Sequence, residues 1–255
     1  MLTKTMMRLH KIALLSTILS TSLHAQTAEE HITLGDRDYA AMKAPEALAD
    51  YEAASKLDPS SYEAFWKASR SAIDVGSYAT DRRAALFTSG EQYARKAVSL
   101  NPGGADGHFS LARALGKTAL SQSPKGRIKY ATEIRTQALE CLRIDPKHAG
   151  CLHVMGMWNA EVMRLSGFTR MIAKNFLGGK IFGTASWNEA VRYMEASVAS
   201  EPDRVVHHLD LGYVYRDVHR DAEARREFEK VLSLPSTDVN DRSYKEEARA
   251  ALKKT

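Results

Sequence analysis

Three histidines, His207, His208 and His219, are the first residues in this sequence whose type suggests chemistry. Neighbouring side chains on a helix point about 100° apart, so His207 and His208 cannot easily share one metal ion. The sequence contains no glycine-rich phosphate loop, no Gly-x-Ser-x-Gly, no His-Glu-x-x-His and no cysteine pair at zinc-binding spacing. We therefore predict no catalytic residue, no metal site and no cofactor, and we expect His208 to lie on a packed helix face.

The chain has two cysteines, Cys141 and Cys151, with Pro146 between them. If one helix ends before Pro146 and another begins after it, the two Cα atoms can approach the ~4.4–6.8 Å that a disulfide requires. Alternatively, both cysteines are small buried apolar residues. We favour this second interpretation because the sequence does not fix the helical phase of either cysteine.

The first 25 residues have the pattern of a secretory signal peptide. Lys4, Arg8 and Lys11 precede an apolar stretch over residues 12–19, and Ala25 provides a small residue before Gln26. The apolar stretch is shorter than the ~20 residues of a membrane span, although a signal anchor remains the alternative. Removing residues 1–25 reduces the formal charge from +5 to +2, with 33 basic against 31 acidic residues. The main argument for a nucleic-acid partner, a basic excess, is therefore lost. We predict an exported protein, in the periplasm or outside the cell if the source is bacterial.

Five similar phrases, each ending in proline, divide the remaining chain. The prolines are Pro59, Pro102, Pro146, Pro202 and Pro235. Proline cannot continue a helix and disfavours helical geometry in the residue before it, so the chain should turn at each of these places. The intervals of 43, 44, 56 and 33 residues indicate that the middle repeats have longer helices or inserted loops.

The residues before the first and last prolines identify the repeating unit. The small and aromatic positions are Leu34-Gly35, Ala47, Tyr51 and Ala54 before Pro59, and Leu211-Gly212, Tyr215, Ala224, Phe228 and Val231 before Pro235. This order resembles the tetratricopeptide repeat, a helix-turn-helix unit of 34 residues. The resemblance implies an all-α solenoid of about five repeats in a domain over residues 26–255. The predicted repeats are 28–61, 62–104, 105–148, 149–204 and 205–237, followed by an end helix over 241–254.

The fourth repeat also resembles a narrower family. It contains Gly156-Met-Trp158, Glu161-Val162 and Leu165-Ser166, followed by Phe176-Leu-Gly178 and Glu189-Ala190. This run is similar to that of the regulator of microtubule dynamics protein family. The resemblance implies a scaffold without catalytic activity, in a family with some members associated with microtubules and some with membranes. An exported bacterial chain would not meet a microtubule, so the partner stays open.

The insertion over residues 168–182 is basic and partly apolar. It contains Arg170, Lys174 and Lys180, and no acidic residue occurs from Val162 to Asn188. This composition suits peripheral contact with anionic lipid or an acidic partner. We favour simple packing between long helices, because Gly178, Gly179 and Gly183 interrupt the helical period.

Helical phase predicts a ligand groove on the concave wall of the solenoid. If the first four prolines are equivalent, the first helices of the following repeats begin at Tyr62, Ala105, Ala149 and Val205. Residues four apart then form one stripe: Trp66 and Arg70, Phe109 and Arg113, His153 and Met157, Leu209 and Tyr213. Aromatic side chains provide contact area, and arginine binds a carboxylate bidentately. The alternative is that Trp66 and Phe109 belong to the core and the arginine stems cover them.

Together these patterns predict a non-catalytic scaffold or adaptor that binds a protein or peptide, with an acidic or C-terminal-carboxylate peptide as the expected ligand. The alternative is a membrane-associated protein that contacts lipid through residues 168–182. No nucleic-acid partner is expected.

The signal peptide gives the first testable prediction. The mature N-terminus should be Gln26, since signal peptidase cuts after a small residue. Intact mass of the exported protein measures this directly. A full-length mass in the membrane fraction would support the anchor instead.

Overall fold

This computed structural model describes residues 26–119, 124–167, 171 and 180–254. Within these residues the chain forms eleven α-helices and one short 3-10 helix. The predicted signal peptide lies outside these residues, and no strand occurs within them. The helices are α1 (Ala28–Ala40), α2 (Ala44–Leu57), α3 (Tyr62–Tyr78), α4 (Arg83–Leu100), α5 (Ala105–Ala119), α6 (Pro124–Ile144), α7 (Ala149–Arg164), α8 (Trp187–Ser200), α9 (Val205–Asp217), α10 (Asp221–Ser233) and α11 (Asp241–Leu252). The 3-10 helix (Lys180–Thr184) comes before α8. None of these described helices is both long and apolar enough to cross a bilayer.

The helices pack in chain order as a solenoid. Each helix contacts the next, and α1, α3, α5, α7 and α9 also contact one another in sequence. This arrangement confirms the predicted all-α solenoid. The first helices therefore form one layer and the second helices another.

The proline turns and the helix caps explain where the helices begin and end. Before Pro59 and Pro102, Asp58 and Asn101 have left the helical region, with ψ of 93° and 87°. Ser61 then caps α3 by accepting a hydrogen bond of 3.2 Å from the Ala64 amide. The helices α3, α5, α7 and α9 begin at the four residues that the proline register gives.

The two helices of a repeat cross closely where a small residue meets a larger one. A Cβ added to Gly35 would lie 2.5 Å from the Tyr51 ring, and one added to Gly212 would lie 2.6 Å from the Phe228 ring. In the third repeat two alanines, Ala112 and Ala138, meet in one buried cluster. The residue types thus differ from one repeat to the next, but at each of these crossings a small side chain keeps the combined volume of the facing residues small.

The long middle intervals have two origins. In the second and third repeats the extra residues lie within the helices, since α3, α4 and α6 contain 17, 18 and 21 residues. In the fourth repeat they lie between α7 and α8.

The last helix, α11, covers the apolar end of the solenoid. Ala248 and Ala251 are buried against the cluster that contains Phe228, while charged residues occupy the outer face. This is the role that an end helix has in a repeat protein.

The crossing at Gly212 gives the second prediction. Gly212→Ala should lower the free energy of unfolding by about 1–3 kcal/mol, because the new Cβ overlaps the Phe228 ring. Gly116→Ala on α5 is the matched control: its Cβ would meet nothing within 4 Å. That variant should be more stable by about 0.5–1 kcal/mol. Urea titration measures both, and a shift in the same direction would contradict the assigned crossing.

Candidate functional site

The eight residues predicted to form the groove lie on the four neighbouring helices α3, α5, α7 and α9. Leu209 is fully buried at 2% exposure. The other seven, Trp66, Arg70, Phe109, Arg113, His153, Met157 and Tyr213, are half-buried. Their contacts separate them into residues that hold the chain together and one that has bonding capacity to spare.

Arg113 forms an ion pair within the chain. Its Nη2 lies 2.5 Å from Oδ1 of Asp74, whose side chain is only 1% exposed. Burial opposes the charge of Arg113, but the contact with Asp74 outweighs it and raises the pKa of the guanidinium. Tyr39 donates a hydrogen bond of 3.1 Å to the other oxygen of Asp74. Burial and Asp74 raise the pKa of Tyr39 to about 12, so the hydroxyl remains a donor. Arg113 is therefore occupied.

The segment between α10 and α11 reaches across to α3 and closes the concave side at Asp74. The Asn240 amide Nδ2 donates a hydrogen bond of 3.4 Å to the Asp74 carbonyl, a contact between residues 166 positions apart. Asp238 accepts one of 2.7 Å from Arg204 at the start of α9. Although burial opposes it, Arg204 and the Asn240 amide lower the pKa of Asp238, so this buried carboxylate is charged.

Arg70 differs from Arg113, because it has no acidic partner among the described residues. Its guanidinium lies 3.5 Å from the centroid of the Tyr39 ring and 5.1 Å from that of Trp66. One hydrogen bond, of 3.3 Å, goes to the Tyr51 hydroxyl. Its Nε is buried and has no hydrogen-bond partner. A guanidinium held between aromatic rings in this way can still donate hydrogen bonds to a carboxylate.

Phe109 and His153 have packing roles. Phe109 fills the space over Gly150, where an added Cβ would lie 2.5 Å from the ring. His153 Nε2 lies 2.8 Å from Asp210 Oδ2, and its ring stacks on that of His207 at 4.9 Å. Burial and the neighbouring His153 and Arg204 lower the pKa of His207 far below its usual range. His207 is therefore neutral at pH 7.

Met157 and Tyr213 pack against the C-terminal core. The Tyr213 ring meets the edge of Phe228 with centroids 5.2 Å apart. These two residues and the buried Leu209 thus contact the core of the C-terminal repeats.

Two equivalent histidines, His108 and His208, support the proline turns, a role that was predicted for neither. The Nε2 atoms of His108 and His208 donate to the carbonyls of Pro102 and Pro202, at 2.9 and 2.8 Å. Their Nδ1 atoms are hydrogen-bonded to Gln137 and Glu227 on the second helices. Both histidines stand six residues after a repeat proline, and this spacing was the available signal. His208 is 5% exposed and lies on a packed face, as expected.

The structure joins Cys141 at the end of α6 to Cys151 on α7 in a disulfide, with Cα atoms 6.4 Å apart. Sequence reasoning favoured two separate buried thiols, and the structure has the alternative. His148 lies beside this pair, with one of its ring nitrogens and both sulfurs within 4.8 Å of one another. No motif in the sequence associates His148 with the cysteines.

Most of the insertion over residues 168–182, including Arg170 and Lys174, lies outside the described residues. Of its described part, Met171 is 46% exposed, while Phe182 is 2% exposed and stacks on Trp158 with centroids 6.0 Å apart. The end of the insertion thus packs into the core.

Comparison with known proteins gives the family. The model of the family Regulator of microtubule dynamics protein 1-3 matches residues 32–255. This chain belongs to that family. Regulator of microtubule dynamics protein 1 of Bos taurus is 24% identical over 198 residues, which cover 75% of this chain and 61% of the relative. The chain therefore spans about three fifths of the length of the curated relatives it matches.

Two solved structures share the fold. A thermophilic TPR protein of Thermus thermophilus has a TM-score of 0.65 at 18% identity, with 88% of this chain and 100% of that chain covered. The protein pilF of Pseudomonas aeruginosa has a TM-score of 0.52 at 14% identity, with coverage of 89% and 90%. Both likenesses concern the helical solenoid alone.

The different surroundings of the two arginines give the third prediction. Arg113→Gln should lower the free energy of unfolding by about 3–5 kcal/mol, because it leaves the buried Asp74 carboxylate without its cation. Arg225→Gln is a control, since its pair with Glu229 is exposed and should contribute less than about 0.5 kcal/mol. Urea unfolding measures both variants. Equal, small losses would mean that Asp74 and Arg113 do not form a buried pair in solution.

Proposed function

We propose that this chain is a non-catalytic scaffold that binds an acidic protein segment, or a peptide with a free C-terminal carboxylate, at Arg70 on the concave wall. The observation that carries the proposal is the guanidinium of Arg70, held over Tyr39 and beside Trp66 without an acidic partner among the described residues.

The surroundings of Arg70 favour a carboxylate over other ligands. The neighbouring Lys67 is already paired with Asp36 at 2.6 Å and Glu63 at 2.5 Å. Arg70, unlike Lys67 and Arg113, has no acidic partner among the described residues, and a planar guanidinium fork matches a carboxylate. Tyr39 and Trp66 add rigid aromatic area beside it, which binds a ligand at little cost in side-chain entropy.

The paired state of Arg113 narrows the proposed site. A ligand carboxylate at Arg113 would have to displace Asp74, which is almost completely buried. Arg70 lies on α3, one helical turn before Asp74. We place the ligand at Arg70 and not along the whole stripe from Trp66 to Tyr213.

Export belongs to the same proposal. The basic start and apolar stretch within residues 1–25 support a signal peptide, so the binding partner would be another protein of the exported compartment.

A peptide-binding assay that follows intrinsic tryptophan fluorescence, to which Trp66 beside Arg70 contributes, tests the site and gives the fourth prediction. The probes are acidic peptides with a free C-terminal carboxylate, with their amidated and lysine-substituted counterparts as negative controls. Arg70→Gln should weaken binding of the acidic probes at least tenfold, because a charge-assisted pair contributes about 1.5–3 kcal/mol. The control is Arg216→Gln, since Arg216 also lies over an aromatic ring, that of Tyr213, at 5.0 Å.

Unchanged binding by Arg70→Gln would refute the site. If the chain instead binds anionic vesicles, and this binding disappears at high salt, the result would favour the lipid-contacting alternative.

A further inference from the structure

Cys141, His148 and Cys151 surround the turn that joins α6 to α7. One ligand atom from each residue lies within 4.8 Å of the other two. Both cysteines are 0% exposed, and the His148 side chain is 16% exposed. Two sulfurs and an imidazole so close together are a ligand set for a soft metal ion once the sulfurs are thiolates.

We propose that reduction of the Cys141–Cys151 disulfide converts this turn into a three-coordinate copper(I) site with His148 as the third ligand. In the disulfide the sulfurs are bonded to each other and are poor ligands, so the oxidised chain does not bind the ion. The turn is therefore a site whose occupancy depends on the redox state of the chain.

The redox step needs a dithiol reductant. The reductant transfers two electrons and two protons, the S–S bond breaks, and each cysteine becomes a thiol while the reductant becomes a disulfide. When copper(I) binds, each thiol loses its proton to solvent, so two protons are released for each ion bound.

The position of His148 suits a ligand. Its Nδ1 accepts a hydrogen bond of 3.2 Å from the Cys151 amide, so the Nδ1 lone pair points toward this cysteine. Copper(I) would take that lone pair, and the hydrogen bond from the amide would be given up. Its Nε2 lies 3.5 Å from Oδ1 of Asp106. The Phe109 ring packs against the imidazole with centroids 5.0 Å apart. A ligating histidine commonly has its second nitrogen oriented by a carboxylate, so Asp106 would be a positioning residue.

The number of ligands favours copper(I) over zinc. Structural zinc takes four protein ligands, and the described residues supply three here, with the carboxylate of Asp106 on the far side of the ring. Thiolate ligands suit both copper(I) and zinc, and of these two ions copper(I) accepts the lower coordination number.

Copper(I) titration of the full chain tests the proposal. The chain is reduced with dithiothreitol, freed of reductant under nitrogen, and titrated with copper(I) in competition with the chelator bathocuproine disulfonate. The reduced chain should hold one ion and the air-oxidised chain none. X-ray absorption should show two sulfur ligands and one nitrogen ligand.

Variants make the test specific to the three residues. His148→Asn keeps a side-chain oxygen that can cap α7 and should weaken binding at least tenfold, and Asp106→Asn should weaken it about tenfold. His31→Asn is the matched control, because His31 is another half-buried histidine beside a carboxylate, 2.8 Å from Asp50. It should leave binding unchanged. Circular dichroism checks that every variant stays helical.

A reduced, helical chain that leaves copper(I) with the chelator would overturn the proposal. Equal affinity of the His148→Asn variant, or a four-coordinate zinc ion held in preference to copper(I), would overturn it as well.

Discussion

The buried carboxylate of Asp74 imposes the strongest constraint on this structure. A charge that is 1% exposed is tolerated only with a cation and hydrogen-bond donors around it. Arg113 on α5 provides the cation and Tyr39 on α1 a hydroxyl. Asn240, from the far end of the chain, donates to the backbone carbonyl of the same residue. Three repeats and the C-terminal segment thus meet at one residue.

These contacts within the chain explain why the concave wall is not an open channel along its whole length. Arg113 and Arg204 are neutralised by Asp74 and Asp238 of the same chain. Tyr213 and Met157 belong to the core at the C-terminal end. Of the two arginines predicted to line the groove, Arg70 is the one without an acidic partner among the described residues, which suits the proposed recognition of a single acidic group.

The local features of the fold could be predicted from the sequence. Proline turns and helix periodicity determine where α3, α5, α7 and α9 begin, because both depend on neighbouring residues. The crossing of Gly212 with Phe228 is also visible, since its two residues belong to one repeat. The contact between Asp74 and Asn240 could not be predicted, because it depends on curvature accumulated over five repeats. In the sequence Asp74 is an ordinary acid on a helix, and helical phase alone could not tell that Arg113 was already paired. The pairing of Cys141 with Cys151 depended likewise on how α6 and α7 meet.

A double-mutant cycle between Arg113 and Asp238 tests the closure of the solenoid most directly. These residues lie in the third repeat and in the segment after the fifth, and Arg113 is among the cations that lower the pKa of Asp238. The free energies of unfolding of Arg113→Gln, Asp238→Asn and the double variant give their coupling. The closed structure predicts a coupling of about 0.5 kcal/mol or more. Effects that add to within about 0.3 kcal/mol would contradict it, because in an open solenoid these two residues do not interact.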